Sequence, residues 1–186
     1  MTFVDFVIDV HRTLTAAGVP HAFGGALALA YVAEPRGTVD VDVNVFSALD
    51  NVDAVLDVFG SIGLRPTEPR ERWVPIAGIR LRKPDGPYPV DLFPSLDDRY
   101  TEIEARTREH PFGSAGARLP FLSPEDLCLF KLSFGREKDW VDLRSIASSA
   151  GDLDTEYVAR QLIGLRGPAM HPRMSRFLEL LRQQRG

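Results

Sequence analysis

The chain has 186 residues, 44% of them hydrophobic and 26% charged, with a formal net charge of −4. Those values fit one globular unit, or a domain with a small helical appendage, and exclude a chain that binds nucleic acid through overall basicity; an RNA or DNA partner would need a local patch. A single cysteine, Cys128, excludes an internal disulfide and a cysteine-built zinc site, and no apolar run near 18 residues or basic-then-apolar start suggests a membrane span or a secretory signal, so the cytoplasm is the expected location.

From Thr2 to Ala17, Phe3, Phe6, Val7, Val10 and Leu14 recur at helical spacing, and Gly18 stops the helix. Val19 to Phe23 is expected as a strand that includes His21. Gly24-Gly25 then separates it from a helix over Ala26 to Ala33, whose alanines permit close packing. The loop Pro35-Arg36-Gly37 leads into a strand from Thr38 to Phe46. There Val39, Val41, Val43 and Val45 alternate with Asp40, Asp42 and Asn44. The two carboxylates would share one face roughly 7 Å apart. Aspartate is depleted in strands and like charges on one face repel, so the pattern calls for compensation, most simply by a divalent cation with oxygen ligands. A water-facing edge strand would carry the same alternation. The glycine pair adds weight to the cation, because glycines between a strand and a helix let backbone N–H groups approach an anion. Anion cradle and acidic strand together suggest a metal–phosphate site. Thr38, expected on the Asp40 face, could support that site, be modified, or simply be a β-branched strand residue.

Asn51 to Ile62 shows helical spacing and ends at Gly63; Leu64 to Arg72 is expected as loop with an edge strand. Trp73 to Lys83 alternates as a strand, Asp85-Gly86 signals a hairpin, and Tyr88 to Phe93 returns carrying Asp91. That register sets Arg80 opposite Asp91, either as a cross-strand ion pair or as a residue that helps hold triphosphate or primer. Leu96 to Arg108 is expected as a polar helix anchored by Tyr100 and Ile103, and Pro111 to Leu122 as loop plus a short strand. Ser123-Pro124-Glu125-Asp126 is a strong helix start, with Ser at the N-cap and Pro at the first helical position. This helix runs to Phe134, with Leu127, Phe130 and Phe134 on the buried stripe and Lys131 off it; Gly135 ends it. Arg136, Lys138 and Asp139 form a charged turn before a helix carrying Trp140, Leu143 and Ile146. Gly151 to Leu165 and Pro172 to Arg185 are two closing helices. Arg173, Arg176, Arg182 and Arg185 form either a stripe for RNA phosphates or a solvated face.

Gly24-Gly25, then Asp40-Val41-Asp42 after fourteen intervening residues, with Val90-Asp91-Leu92 downstream, resembles the signature of the polymerase-β-like nucleotidyltransferase superfamily. GGALALAY, PRGTVDVDV and SPEDLCLFKLSFGREKDWVDL are most similar to the AbiEii/MenT-type enzymes, among them toxins of toxin–antitoxin pairs. The resemblance spans about residues 20 to 146. It implies an α/β (α+β) fold, a mixed sheet flanked by helices, with residues 1–122 as catalytic core and 123–186 as a helical portion completing the nucleotide site. It implies Asp40, Asp42 and Asp91 as ligands of two Mg²⁺ ions (or Mn²⁺). Gly24, Gly25, Thr38, Arg80, Arg136, Lys138 and Asp139 would surround the NTP, and Lys131 would balance triphosphate charge. The expected reaction is NMP transfer to a hydroxyl, with the 3′ end of tRNA as acceptor and a cognate antitoxin as partner to a monomer. The alternatives are a protein or small-molecule acceptor such as an aminoglycoside, or an inactive nucleotide-binding partner module. Gly25 departs from the Ser that many relatives carry, which removes a hydroxyl contact and keeps the backbone amide.

Overall fold

The computed structural model of the chain describes residues 1–74, 78–114, 116–149 and 151–185. Among them a mixed sheet runs in the order β3-β4-β5-β2-β1-β7-β6. Its strands are β1 (His21–Phe23), β2 (Val41–Ala48), β3 (Arg65–Pro66), β4 (Ile79–Arg82), β5 (Val90–Ser95), β6 (Arg108–Phe112) and β7 (Ala117–Phe121). The helices are α1 (Phe3–Ala16), α2 (Gly25–Leu29), α3 (Val52–Ser61), α4 (Tyr100–Ala105), α5 (Pro124–Phe134), α6 (Glu137–Ser149), α7 (Thr155–Arg166) and α8 (His171–Arg185). No described helix is long and apolar enough to cross a membrane. The expected fold class, a mixed sheet flanked by helices, is the one observed.

Period-two alternation sorts the central strands. Val41, Val43 and Val45 of β2, Val90 and Leu92 of β5, and Ile79 and Leu81 of β4 are all buried in the core. Helices α1 and α3 pack on each other and give Phe6, Val7, Val10, Leu14, Val52, Val55 and Phe59 to that core. The intervening residues Asp42 and Asn44, Asp91 and Phe93, and Arg80 line a cleft. In this row β2 pairs parallel with β5, so Asp42 stands beside Asp91, and β5 pairs antiparallel with β4, so Asp91 stands beside Arg80. The predicted 80–91 pairing is therefore present, although the bonded turn runs from Lys83 to Gly86 and pairing stops at Leu81 and Val90.

Several expectations are corrected. The acidic strand begins at Val41, so Thr38 and Asp40 precede it. The Thr38 hydroxyl bonds the backbone N–H and C=O of Asp40, forming a local turn that competes with strand pairing, and Val39 turns out to solvent, 59% exposed. Of the predicted strand from Trp73, only Ile79–Arg82 is strand among the described residues; 75–77 lie outside them. The stretch expected as loop plus a short strand holds a full hairpin, β6–β7, and β7 joins β1 in parallel. Lys131 is buried, 4% exposed, because α5 is packed by α2, α6 and α7, and every residue from Asp126 to Leu132 is buried. The arginine stripe on α8 is partly used internally. Arg173 donates to the Leu132 and Ser133 carbonyls at the end of α5, and the Arg176 guanidinium lies 3.9 Å above the Trp140 ring.

Candidate active site

The cleft, of about 320 Å³, lies between the polar face of β2, β4 and β5 and the helices α2, α5 and α6. Of the residues predicted for the site, Gly25, Thr38, Asp40, Asp42, Arg80, Asp91, Lys131, Arg136, Lys138 and Asp139 all line it. Gly24 does not. Its N–H donates to the Asp42 carbonyl at 2.9 Å, so it extends the sheet and is not free for a phosphate. Gly25 opens α2 at φ +53, and a Cβ there would fall 1.8 Å from Asp42 Oδ2. Only glycine allows the backbone to lie so close to that carboxylate. His21 stays apart from the cleft, bonded to the Val19 carbonyl and to His11.

The three carboxylates converge with one guanidinium among them. Arg80 Nη2 donates to Asp40 Oδ1 at 2.8 Å, and Nη1 reaches both oxygens of Asp91 at 3.1 and 3.0 Å. No described side chain hydrogen-bonds Asp42. Burial, then the nearby charges of Asp91 and Asp40, push its carboxyl up to about 6 against the partial relief of Lys131. Asp91 is raised as well, first by burial, with Arg80 opposing.

The opposite wall is cationic and anchored by a residue the sequence did not flag. Asp142 on α6 is 2% exposed; it accepts from Lys131 Nζ at 2.5 Å and from Arg36 Nε and Nη2 at 2.9 and 3.0 Å. Burial opposes its ionisation, but the bonds from Arg36 and Lys131 hold its carboxyl below the usual range. One buried carboxylate thus fixes two cationic groups that line the cleft, and Arg36 joins the site on geometry. Asp139 plays a similar part for Arg136, accepting from its backbone N–H at 3.0 Å and its Nε at 2.8 Å. A signal for Asp142 was present: it lies at helical spacing with Asp139, Leu143 and Ile146, a charge inside a buried stripe.

Among the described residues no three His, Cys, Asp or Glu side chains stand grouped as ligands, since Arg80 lies between Asp40 and Asp91. The donor chemistry fits a hard divalent cation all the same: three carboxylates, oxygen only, two of them raised by burial first and by a neighbouring carboxylate second or third. The arrangement offers carboxylates on one wall and Arg36, Lys131, Arg136 and Lys138 on the other, which suits a metal-bound polyanion.

No family model and no curated protein matches the chain. Solved structures do. The solution structure of the antibiotic-resistance factor ANT(2″)-Ia is 16% identical, with a TM-score of 0.61 over 98% of this chain and 96% of that one. ANT(2″)-Ia in complex with adenylyl-2″-tobramycin is 16% identical, with a TM-score of 0.57 over 96% and 98%. The lincosamide antibiotic adenylyltransferase LnuA, bound to lincomycin, is 14% identical, with a TM-score of 0.53 over 78% and 95%. The chain has the fold of these nucleotidyltransferases.

Proposed function

We propose that the chain is a divalent-cation-dependent nucleotidyltransferase that moves an NMP from an NTP to a hydroxyl of a small organic acceptor. The observation that carries this reading is the meeting of Asp40, Asp42 and Asp91 in one cleft with Lys131 and Arg36, on a nucleotidyltransferase fold. Asp40, Asp42 and Asp91 would hold the cation, which when bound neutralises phosphate charge and lowers the pKa of an attacking hydroxyl. Lys131, Arg36, Arg136 and Lys138 hold the triphosphate by charge, and Gly25 lets it approach the backbone. The acceptor oxygen attacks the α-phosphorus, the bond from that phosphorus to the bridging oxygen breaks, and pyrophosphate leaves. The hydroxyl proton passes to the Asp91 carboxylate.

A small-molecule acceptor is favoured over the tRNA 3′ end by two points. The structural neighbours include an adenylyltransferase of a lincosamide antibiotic and a protein solved with adenylylated tobramycin. Arg173 and Arg176 are also engaged within the protein, which weakens the α8 stripe as an RNA surface. The test is incubation with each labelled NTP, ATP first, and Mg²⁺, offering aminoglycosides, lincosamides and total tRNA in separate reactions beside Asp40→Ala. Label on a small molecule that vanishes in the variant is the expected result. Label on tRNA alone would restore the RNA reading and with it a toxin role. NTP binding without transfer to any acceptor would leave a nucleotide-binding partner module.

A further inference from the structure

Arg80 and a divalent cation compete for the same carboxylates. Both oxygens of Asp91 and one of Asp40 are engaged by the guanidinium. Asp42, beside Asp91 in the same cleft, accepts no hydrogen bond from any described side chain. Arg80 is 41% exposed and Asp40 36%, so the bridge is open to solvent and can be exchanged. Arg80 also stands in the same cleft as Arg36, Lys131, Arg136 and Lys138.

Resting on the nucleotidyltransferase reading, we infer that Arg80 is the resident counter-ion of the carboxylate trio, displaced when a divalent cation enters, and that its freed guanidinium then pairs with the triphosphate. One arginine thus serves two partners in turn, and cation and nucleotide bind cooperatively. The cation gives Arg80 up, and the nucleotide takes it.

The bridge sets the size of the effect. Two partly exposed ion pairs oppose cation entry by about tenfold in affinity.

The test is titration with Mn²⁺ alone, followed by electron paramagnetic resonance, on wild type, Arg80→Gln and Lys138→Gln, then again with a non-hydrolysable ATP analogue. Lys138 lines the same cleft and controls for the loss of one positive charge. Arg80→Gln is expected to bind Mn²⁺ about tenfold tighter than wild type without nucleotide, Lys138→Gln much less so, and the analogue is expected to tighten Mn²⁺ binding more in wild type than in Arg80→Gln. Unchanged or weaker Mn²⁺ binding in Arg80→Gln, or an equal gain in Lys138→Gln, would overturn the exchange. Mn²⁺ binding that is the same in wild type and Asp42→Asn would overturn it by a different route, by removing the metal site itself.

Discussion

Lys131 Nζ lies 2.5 Å from Asp142 Oδ2, and both side chains are buried, at 5% and 2% exposure. The pair joins α5 to α6, and Arg36 draws the loop before β2 onto the same carboxylate. Truncation of Asp142 would leave Lys131 buried and unpaired. Asp142→Ala is expected to lose about 3–5 kcal/mol in urea denaturation. Replacing both partners, Lys131→Met with Asp142→Leu, should recover much of that loss while nucleotide binding stays low. Equal destabilisation in single and double variants would contradict the pairing.

Gly25 is needed for its missing side chain. With φ +53 and Asp42 Oδ2 at 1.8 Å from an added Cβ, Gly25→Ala must displace the Asp42 carboxylate. The strain costs about 1–3 kcal/mol. Nucleotidyl transfer is expected to fall by about 100-fold or more, since misplacement by an ångström is costly. Wild-type rates in a folded Gly25→Ala protein would refute the close approach.

Asp42 gives a dependence on pH with a definite sign. Its carboxyl is raised to about 6 from 3.8, so the folded state holds a proton that the unfolded state releases. That contribution is complete below about pH 4 and is lost as pH rises through 6. Relative to Asp42→Asn, wild type should therefore lose up to roughly 3 kcal/mol across that window. Mg²⁺ at pH 7 should return part of it to wild type alone. Thermal melts from pH 4 to 7 with and without Mg²⁺ decide this, and parallel curves for the two proteins would refute it.

Arg173 does not itself line the cleft. It donates to the last carbonyls of α5 beside Gly135, whose φ of +64 ends the helix. Arg173→Ala should cost about 1–3 kcal/mol in stability, the worth of hydrogen bonds from a charged group, with no change in nucleotide affinity. A large loss of tRNA binding without a loss of stability would instead mark α8 as a nucleic-acid surface.

The polar row Asp42, Asp91 and Arg80 was legible because alternation in strands and the Asp85-Gly86 signal fix which side chains share a face. The cap of α5 was legible for a similar reason: Ser123 accepts from the Asp126 N–H as its pattern predicts. Lys131 was misplaced because a helical wheel assumes one wet face, and α5 has none over Asp126 to Leu132. Asp142 was missed because its partner Arg36 comes from 106 residues away. Hairpin β6–β7 was hidden by Pro111 and Pro120, which weaken a strand signal but are tolerated near a sheet edge.

The two pairings of Asp91, with Arg80 and with Asp42, close loops of very different length. Arg80 and Asp91 are 11 residues apart across a hairpin, a closure available to a short stretch of nascent chain. Asp42 meets Asp91 only through a parallel pairing that spans α3 and the hairpin, a non-local closure. Asp91 thus has a positive neighbour on one side and Asp42 on the other, and two acids lie side by side without facing each other bare.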